Sequence, residues 1–409
     1  MLPWLLEVSV DPAWSYLVAL FLPYLFALLL TPCARRLAVR LGWLDHPSGR
    51  KQHGAAVPLL GGVAVFGSAF LGVLLGTLVS EPIRVALLGP GSLGALGAGV
   101  AAVVALGLYD DLRDLRPWQK LVAQVSIACA TWFLGFHCAA VQLPFGWGVI
   151  DAPLASFLIT VGWIVLVTNA FNLIDGIDGL TAGIGIVGVL TIVVLASENG
   201  ASVSVLGALA LSGALSAFLR YNLPPARIYL GDSGAMAVGY TIAVLSVASY
   251  QKAPTAMVLL VPILVLGVPL LDTLLAVIRR TGGHLREHGL SAVHPLEMAT
   301  AIMRADRGHV HYLLMRSGWS VRSVLFALYA LAVAFGGLAL WTREASPTDR
   351  WLLWLALLAG SFIGLRVLER RVERTEAGDR EQEASPSVEF TPTHPGRVAS
   401  AGKRVGRGS

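Results

Sequence analysis

Stretches of about twenty apolar residues recur along this chain with hardly a charge inside them. Each is long enough to cross the hydrocarbon core of a bilayer as a helix. Lipid offers no partner to a backbone N–H or C=O, so such stretches fold as helices that satisfy their own polar groups. We read eleven of them, at roughly 14–33, 58–79, 85–108, 120–138, 153–173, 179–197, 201–220, 234–250, 256–278, 322–341 and 351–367. The composition agrees: 13% of the 409 residues are charged and 56% are hydrophobic, where a soluble domain carries about 25% charged residues. The expectation is an all-α integral membrane protein, a polytopic unit over residues 1–368 followed by a charged cytoplasmic tail at 369–409 whose composition cannot bury a core.

The first run begins near Trp14 behind a leader with no cation, which reads as a retained helix rather than a secretory signal. Cys33, Cys129 and Cys138 form no CxxC pair and lie in or beside apolar runs, so they read as packing residues. The cations fix an orientation. Seventeen Lys and Arg fall in the loops that follow the odd-numbered helices and their flanks, against four (Arg84, Lys252, Arg343, Arg350) on the other side. The positive-inside rule then places the N-terminus outside and the C-terminus in the cytoplasm.

The polar clusters obey the same parity. DHPSGRKQH (45–53), YDDLRD (109–114), NLIDGIDG (172–179), RYNLPPARIYLGDSG (220–234) and RADRGHVHYLL (304–314) all fall in cytoplasmic loops. Unrelated structural needs would scatter them over both faces, so their arrangement implies one shared site.

A carboxylate at bilayer depth costs at least about 2.5–3.5 kcal/mol, so each acid near an apolar run calls for a reason. Asp110 and Asp111 are adjacent at the mouth of the third helix, where their joint ionisation requires a cation or a metal; Arg113 and Arg116 are the alternative neutralisers. Asp175 and Asp178, at i and i+3, would share one helical face with Asn172 a turn back, and Gly176 and Gly179 allow close approach. A helix cap at Asp178, for the helix starting at Leu180, is the structural alternative. Asp232 sits just before the eighth helix, as an N-cap or a ligand to a hard metal. An all-oxygen set of Asn and Asp suits Mg²⁺ or Mn²⁺ rather than zinc. His309 and His311, with Arg304, Arg307 and the Arg279–Arg280 pair, are donors suited to phosphate oxygens. Asp272 lies about two turns inside the ninth helix, as a functional acid or as a partner of Arg279.

A divalent metal with a cationic clamp is what phosphoryl transfer requires. No GxxxxGK[ST] or GxGxxG loop is present, so the phosphate donor is not held in a P-loop or Rossmann manner. A site at the membrane surface points to a lipid phosphate as one partner and a soluble nucleotide-linked group as the other.

Taken in order, DHPSGRKQH…PLLGG, the paired Asp110–Asp111, NAFNLIDGIDGL, YLGDSG, the PxxDT of Pro269 to Thr273, and DRGHVH resemble the polyprenyl-phosphate N-acetylhexosamine-1-phosphate transferases. The resemblance runs from about Asp45 to Gly318. It implies an eleven-helix, Mg²⁺-dependent enzyme of a bacterial inner membrane with its active site facing the cytoplasm. Such an enzyme moves a sugar 1-phosphate from a UDP-N-acetylhexosamine to undecaprenyl phosphate and releases UMP. The roles implied residue by residue are these. Asp110 and Asp111 stand beside the lipid phosphate, Asp110 positioning or deprotonating it, and Asp175 belongs to the same catalytic group. Asp232 holds the metal with Asn172. Gly176, Ile177 and Asp178 form the wall of the uridine pocket, Tyr229 stacks on uracil, and Asn222 is a nearby polar contact. His309, with Arg307 and His311, touches the donor phosphates, and Lys51 and His53 lie in a polar segment near the site.

Within that group, VPLLGG (57–62) and DRGHVHYLL resemble the branch using UDP-N-acetylglucosamine more than the one using UDP-muramoyl-pentapeptide. Tyr312 stands where the former commonly has a histidine, and residues 281–305 make a longer segment than usual. Both departures leave the identity of the hexosamine open. The competing class, an ion-coupled transporter, would place its acids near mid-membrane, commonly between inverted repeats. No nucleic-acid partner is expected, and a homodimer is left open.

Overall fold

The computed structural model describes residues 12–45, 56–138, 141–142, 149–150, 152–249 and 309–342, together with isolated positions between 267 and 281 and between 345 and 370. It is helical almost throughout. The helices are α1 (Pro12–Leu41), α2 (Gly61–Gly76), α3 (Glu81–Ala86), α4 (Leu93–Arg113), α5 (Pro117–Phe133), α6 (Pro153–Ile174), α7 (Leu180–Glu198), α8 (Ser202–Asn222), α9 (Gly231–Ala248), α10 (Val310–Arg316) and α11 (Val321–Trp341). Seven of them (α1, α4, α6, α7, α8, α9 and α11) are long and apolar enough to span a bilayer, and α2 is a shorter apolar helix. The molecule is a multi-pass membrane protein.

Nine of the eleven expected runs overlap these helices; α1 continues past the expected 33 to Leu41, and the third run shows the most instructive shift. The third was expected over 85–108. Ser80 and Ser92 each cap a separate helix by accepting from the backbone N–H three residues on, so the chain breaks into short α3 and long α4. The α4 helix therefore reaches Arg113 and carries Asp110 and Asp111 inside its last turn. The run expected at 256–278 is described only at isolated helical residues, Asp272 among them, and that at 351–367 likewise. The tail at 369–409 falls outside the described residues apart from Arg370.

α9 is the axis of the bundle. Seventeen of its eighteen residues are buried, and the exception is Asp232. Such burial demands close neighbours, and glycines supply them. A methyl on Gly107 of α4 would overlap the backbone of Ser233, and one on Gly62 of α2 the backbone of Gly234. With α6 against its remaining side, α9 has no lipid-facing surface to make apolar. It can therefore be rich in Gly, Ser and Ala, as small-residue packing in membranes favours. Gly183 of α7 likewise makes room for the Tyr329 ring of α11, in keeping with the packing expected there.

Two short antiparallel pairings complete the described structure: β1 (Leu44–Asp45) with β2 (Val57–Pro58), and β3 (Val141–Gln142) with β4 (Val149–Ile150). The first tethers the segment after α1 to the segment before α2. β2 continues into a backbone exchange with the stretch before α9: Tyr229 N–H donates to Pro58 C=O, Gly61 N–H to Tyr229 C=O, and Gly62 N–H to Leu230 C=O. A side chain at Gly61 would strike the Tyr229 carbonyl, which explains the glycine pair in VPLLGG.

Candidate active site

Asp111 ends α4 and Lys120 begins α5; Asn172 ends α6 and Asp178 precedes α7; Asn222 ends α8 and Asp232 begins α9. Successive helix ends of this alternating kind lie at the same end of an antiparallel bundle. The polar clusters read as sharing one face of the sequence do meet there. A cavity of about 680 Å³, counted out to its open mouth, is lined by five carboxylates (Asp45, Asp111, Asp175, Asp178, Asp232) together with Gly176, Ile177, Asn222, Tyr229 and Tyr312 among others. That volume lies in the range of small-molecule sites.

The carboxylates do different work. Asp111 accepts the N–H of Asp232 on one oxygen (2.8 Å) and that of Ser233 on the other (3.2 Å). It caps α9 from the neighbouring helix. This is possible because Gly231 takes a positive φ of 72° and a side chain there would lie 2.7 Å from the Asp111 carboxylate. A carboxylate on a helix N-terminus both satisfies its free N–H groups and meets the positive end of its dipole.

Asp110 faces the other way. One oxygen accepts the Leu115 N–H (2.8 Å) and the other pairs with the Lys120 ammonium at 2.6 Å. Lys120 also reaches Asp232 Oδ2 at 2.5 Å and Asn172 Oδ1 at 2.9 Å, while Asn172 Nδ2 donates to Asp232 Oδ1 at 2.9 Å. The alternative neutralisers of the aspartate pair, Arg113 and Arg116, are therefore not the ones used. A lysine in the next helix takes Asp110, and backbone N–H groups take Asp111. The pairing is largely buried, with the Lys120 side chain 14% exposed, and breaking a buried pair of this kind typically costs about 3–5 kcal/mol.

One turn deeper, the same three helices meet again. Asn169 Nδ2 donates to Gln124 Oε1 at 2.6 Å, and Gln124 Nε2 approaches Met236 Sδ at 3.2 Å. Gln124 is i+4 from Lys120, Asn169 is i−3 from Asn172, and Met236 is i+4 from Asp232. Each contact of the upper layer is thus seated on one below, which holds α5, α6 and α9 in register.

Asp175 and Asp178 do not share a helical face, as their spacing suggested. α6 stops at Ile174, Asp175 is its C-terminal cap residue, and Asp178 lies in the turn before α7. Gly176 and Gly179 are why: the chain turns here, with Gly179 at a φ of 82°. Asp178 does not cap α7 either; its carboxylate accepts the N–H of Ala226 at 2.8 Å and so ties this turn to the α8–α9 connection. Asn222 ties the same two segments, accepting from Gly179 N–H and donating to Ile228 C=O, both at 3.0 Å. Its amide reaches the cavity wall with donor and acceptor already engaged. Burial, together with the negative charges of Asp232, Asp111 and Asp178, pushes the Asp175 carboxyl up to about 7. Burial and the nearby Asp178 and Asp45 also raise the Tyr229 phenol above its ordinary range.

Both histidines of the DRGHVH motif are buried. His309 is buried, with Nδ1 2.7 Å from Asp272 Oδ2, and the next residue, Val310, donates its N–H to Asp272 Oδ1 at 2.8 Å. Asp272 is therefore the anchor of this loop. The alternative partner, Arg279, lies outside the described residues. His311 is 1% exposed and its Nε2 occupies the space a side chain at Gly176 would need. Burial drives its pKa down to about 4, which favours the neutral imidazole, and the ring packs on the α6–α7 turn. Tyr312, its ring tilted by 47° to that of His311 with centroids 4.2 Å apart, is the residue that lines the cavity among the described residues of this segment. Lys51, His53, Arg304 and Arg307 fall outside the described residues.

The sequence reading missed Lys120 as a site residue, along with Gln124, Asn169, Asp45 and Tyr312. The signal for Lys120 was present: a cation at the start of an apolar run, four residues before a glutamine on the same helical face, nine residues after an aspartate pair in need of a counter-charge.

Comparison with known proteins now bears on this geometry. Residues 93–250, from α4 through α9, match the model of glycosyl transferase family 4. Over 340 residues the chain is 32% identical to a probable undecaprenyl-phosphate N-acetylglucosaminyl 1-phosphate transferase of Bacillus subtilis, a match covering 83% of this chain and 87% of that protein. The chain belongs to glycosyl transferase family 4. Other relatives are the decaprenyl-phosphate N-acetylglucosaminephosphotransferase of Mycobacterium tuberculosis (31% identical over 82% of this chain and 85% of that one) and the undecaprenyl-phosphate alpha-N-acetylglucosaminyl 1-phosphate transferase of Escherichia coli (25% over 88% and 90%). As a member of this family it is a phosphoglycosyltransferase, and the matched segment contains Asp110, Asp111, Lys120, Asn172, Asp175, Asp178 and Asp232.

The site also bears on a divalent metal. Among the described residues, no three carboxylates, imidazoles or thiols are drawn around one point as these side chains stand. The point where Asp110, Asp232 and Asn172 converge is taken by the Lys120 ammonium. The donors are all hard oxygens, they already surround a cation, and further carboxylates line the cavity beside them, so the residues fit Mg²⁺ or Mn²⁺.

Proposed function

We propose that this family 4 enzyme transfers N-acetylhexosamine 1-phosphate, GlcNAc 1-phosphate first among the candidates, from a UDP-sugar to undecaprenyl phosphate. UMP is released, and the product is the first lipid-linked intermediate of a cell-envelope glycan. The reading includes eleven spans, an outside N-terminus, and a site facing the cytoplasm of a bacterial inner membrane. The observation that carries it is the gathering of carboxylates and an amide from α4, α6 and α9 at one end of a lipid-embedded bundle, in a chain whose relatives are named for this transfer.

In this reading the new bond joins a phosphate oxygen of the lipid to the sugar-bearing phosphorus, and the bond from that phosphorus to the oxygen of UMP breaks. Asp232 and Asn172 would hold the Mg²⁺, which when bound supplies positive charge to the diphosphate oxygens. The cavity carboxylate suited to receive a proton from the acceptor is Asp175, since a base works best with a pKa near the operating pH. The family resemblance assigns that role to Asp110, whose two oxygens accept from Leu115 N–H and from Lys120 here. Asp111 fixes the start of α9 and so the place of Asp232. Tyr229, Ile177 and the α6–α7 turn form the wall for uridine, and Tyr312 lines the same cavity.

The test is a UMP-release assay with purified protein, undecaprenyl phosphate, Mg²⁺ and a panel of UDP-sugars. Release with UDP-N-acetylglucosamine that depends on the lipid supports the reading. Release with UDP-muramoyl-pentapeptide alone, or with no member of the panel, contradicts it.

A further inference from the structure

Lys120 is held by oxygens from three helices at once: Asp110 on α4, Asn172 on α6 and Asp232 on α9. Two of these, Asp232 and Asn172, are the groups assigned to the metal above. An ammonium ion 2.5 Å from a carboxylate oxygen takes up one side of it, and a second cation brought to the same group is repelled by like charge at short range. We propose that Lys120 is a built-in counter-cation that competes with the divalent ion for Asp232 and Asn172, so that metal binds only as the ammonium swings away. The inference rests on the metal reading of the proposed function and adds a residue that sets how tightly the ion is held.

The geometry favours displacement over permanent pairing. Lys120 lies in the first turn of α5, and its flexible four-carbon stem can carry the ammonium to a new position without moving the helix. Asp110 is anchored independently by Leu115 N–H and pairs with Lys120 through its other oxygen, so it stays in place to keep the ammonium when Asp232 and Asn172 release it. Gln124, Asn169 and Met236, one turn deeper, keep α5, α6 and α9 in register whether or not the lysine bridges Asn172 and Asp232. The device has a clear physical use. With no metal bound, the carboxylates would repel one another across the helix ends, and the lysine neutralises them.

The experiment measures Mn²⁺ binding to the purified full-length protein by electron paramagnetic resonance, for wild type, Lys120→Met and Lys120→Arg, with thermal unfolding as the check on folding. The expected result is a tightening of Mn²⁺ affinity by tenfold or more in Lys120→Met, no tightening in Lys120→Arg, and a larger Mn²⁺-induced rise in melting temperature for the methionine variant. In the wild-type chain, which needs no variant to fold, Mn²⁺ should raise the rate of reductive methylation of Lys120, read by mass spectrometry. Saturable binding of equal or weaker affinity in Lys120→Met, or methylation that Mn²⁺ leaves unchanged or slows, would overturn the competition. Absence of saturable Mn²⁺ binding in every protein would overturn the metal reading itself, and this inference with it.

Discussion

Asn at position 232 keeps the shape of the side chain and removes its charge, which separates electrostatics from packing. Asp232 is the one α9 residue that is not buried, and in Asp232→Asn the Lys120 ammonium keeps its pairing with Asp110, so the variant should fold. It should still lower turnover by on the order of a thousandfold, since a preorganised charge is lost where the transition state needs it. A circular dichroism spectrum alongside the UMP assay checks both halves. Asp175 makes a different prediction, in pH. Its folded pKa of about 7 lies above the ordinary aspartate value of 3.8, so between these values the folded protein binds a proton that the unfolded chain has released. Stability in metal-free buffer should therefore fall as pH rises from about 4 to about 7, and level off above. Melting curves across that range should show the slope in the wild type and lose it in Asp175→Asn. In turnover the sign is opposite: a base ionised only above its pKa gives a rate that climbs through neutrality, and Asp175→Asn should abolish that limb.

The elements around the site were legible in the sequence to different degrees. Long apolar runs define α6, α7, α8 and α11 closely because lipid burial leaves no other choice. The break between α3 and α4 was hidden, since Ser80 and Ser92 are small polar residues in an otherwise continuous apolar stretch, and only their capping geometry shows that the chain turns there. The aspartate pair was recognised as needing compensation, yet its compensators come from α5 and α9, and nothing in local spacing identifies a partner on another helix. The same holds for the turn after Ile174, where an i, i+3 pair looks helical until the glycines between them are given their dihedral angles. Two predictions follow at this scale. Replacing Asp111 by Ala removes both acceptors from the N-terminus of α9 and should destabilise the protein by about 1–2 kcal/mol, read as a lower melting temperature, with Asp111→Asn milder because it keeps one acceptor. Replacing Gly176 by Ala drives a methyl into His311 Nε2. It should displace α10 together with Tyr312 and raise the KM for the UDP-sugar while Mn²⁺ affinity stays unchanged.

At the scale of the whole molecule, the bundle places its polar helix ends together, and this is what turns a set of membrane spans into an enzyme. α9 can bring an aspartate to the cavity because α2, α4 and α6 shield its length from lipid. The segment after α1 reaches the same cavity through Asp45, and α10 reaches it through Tyr312. Single cysteines at positions 45, 178, 226 and 312 test this convergence directly. In membrane vesicles of known orientation, a membrane-impermeant thiol reagent should label all four from the cytoplasmic side alone, and a UDP-sugar with Mg²⁺ should protect all four together. Labelling from opposite faces, or protection of some positions with the others untouched, would contradict a single shared site.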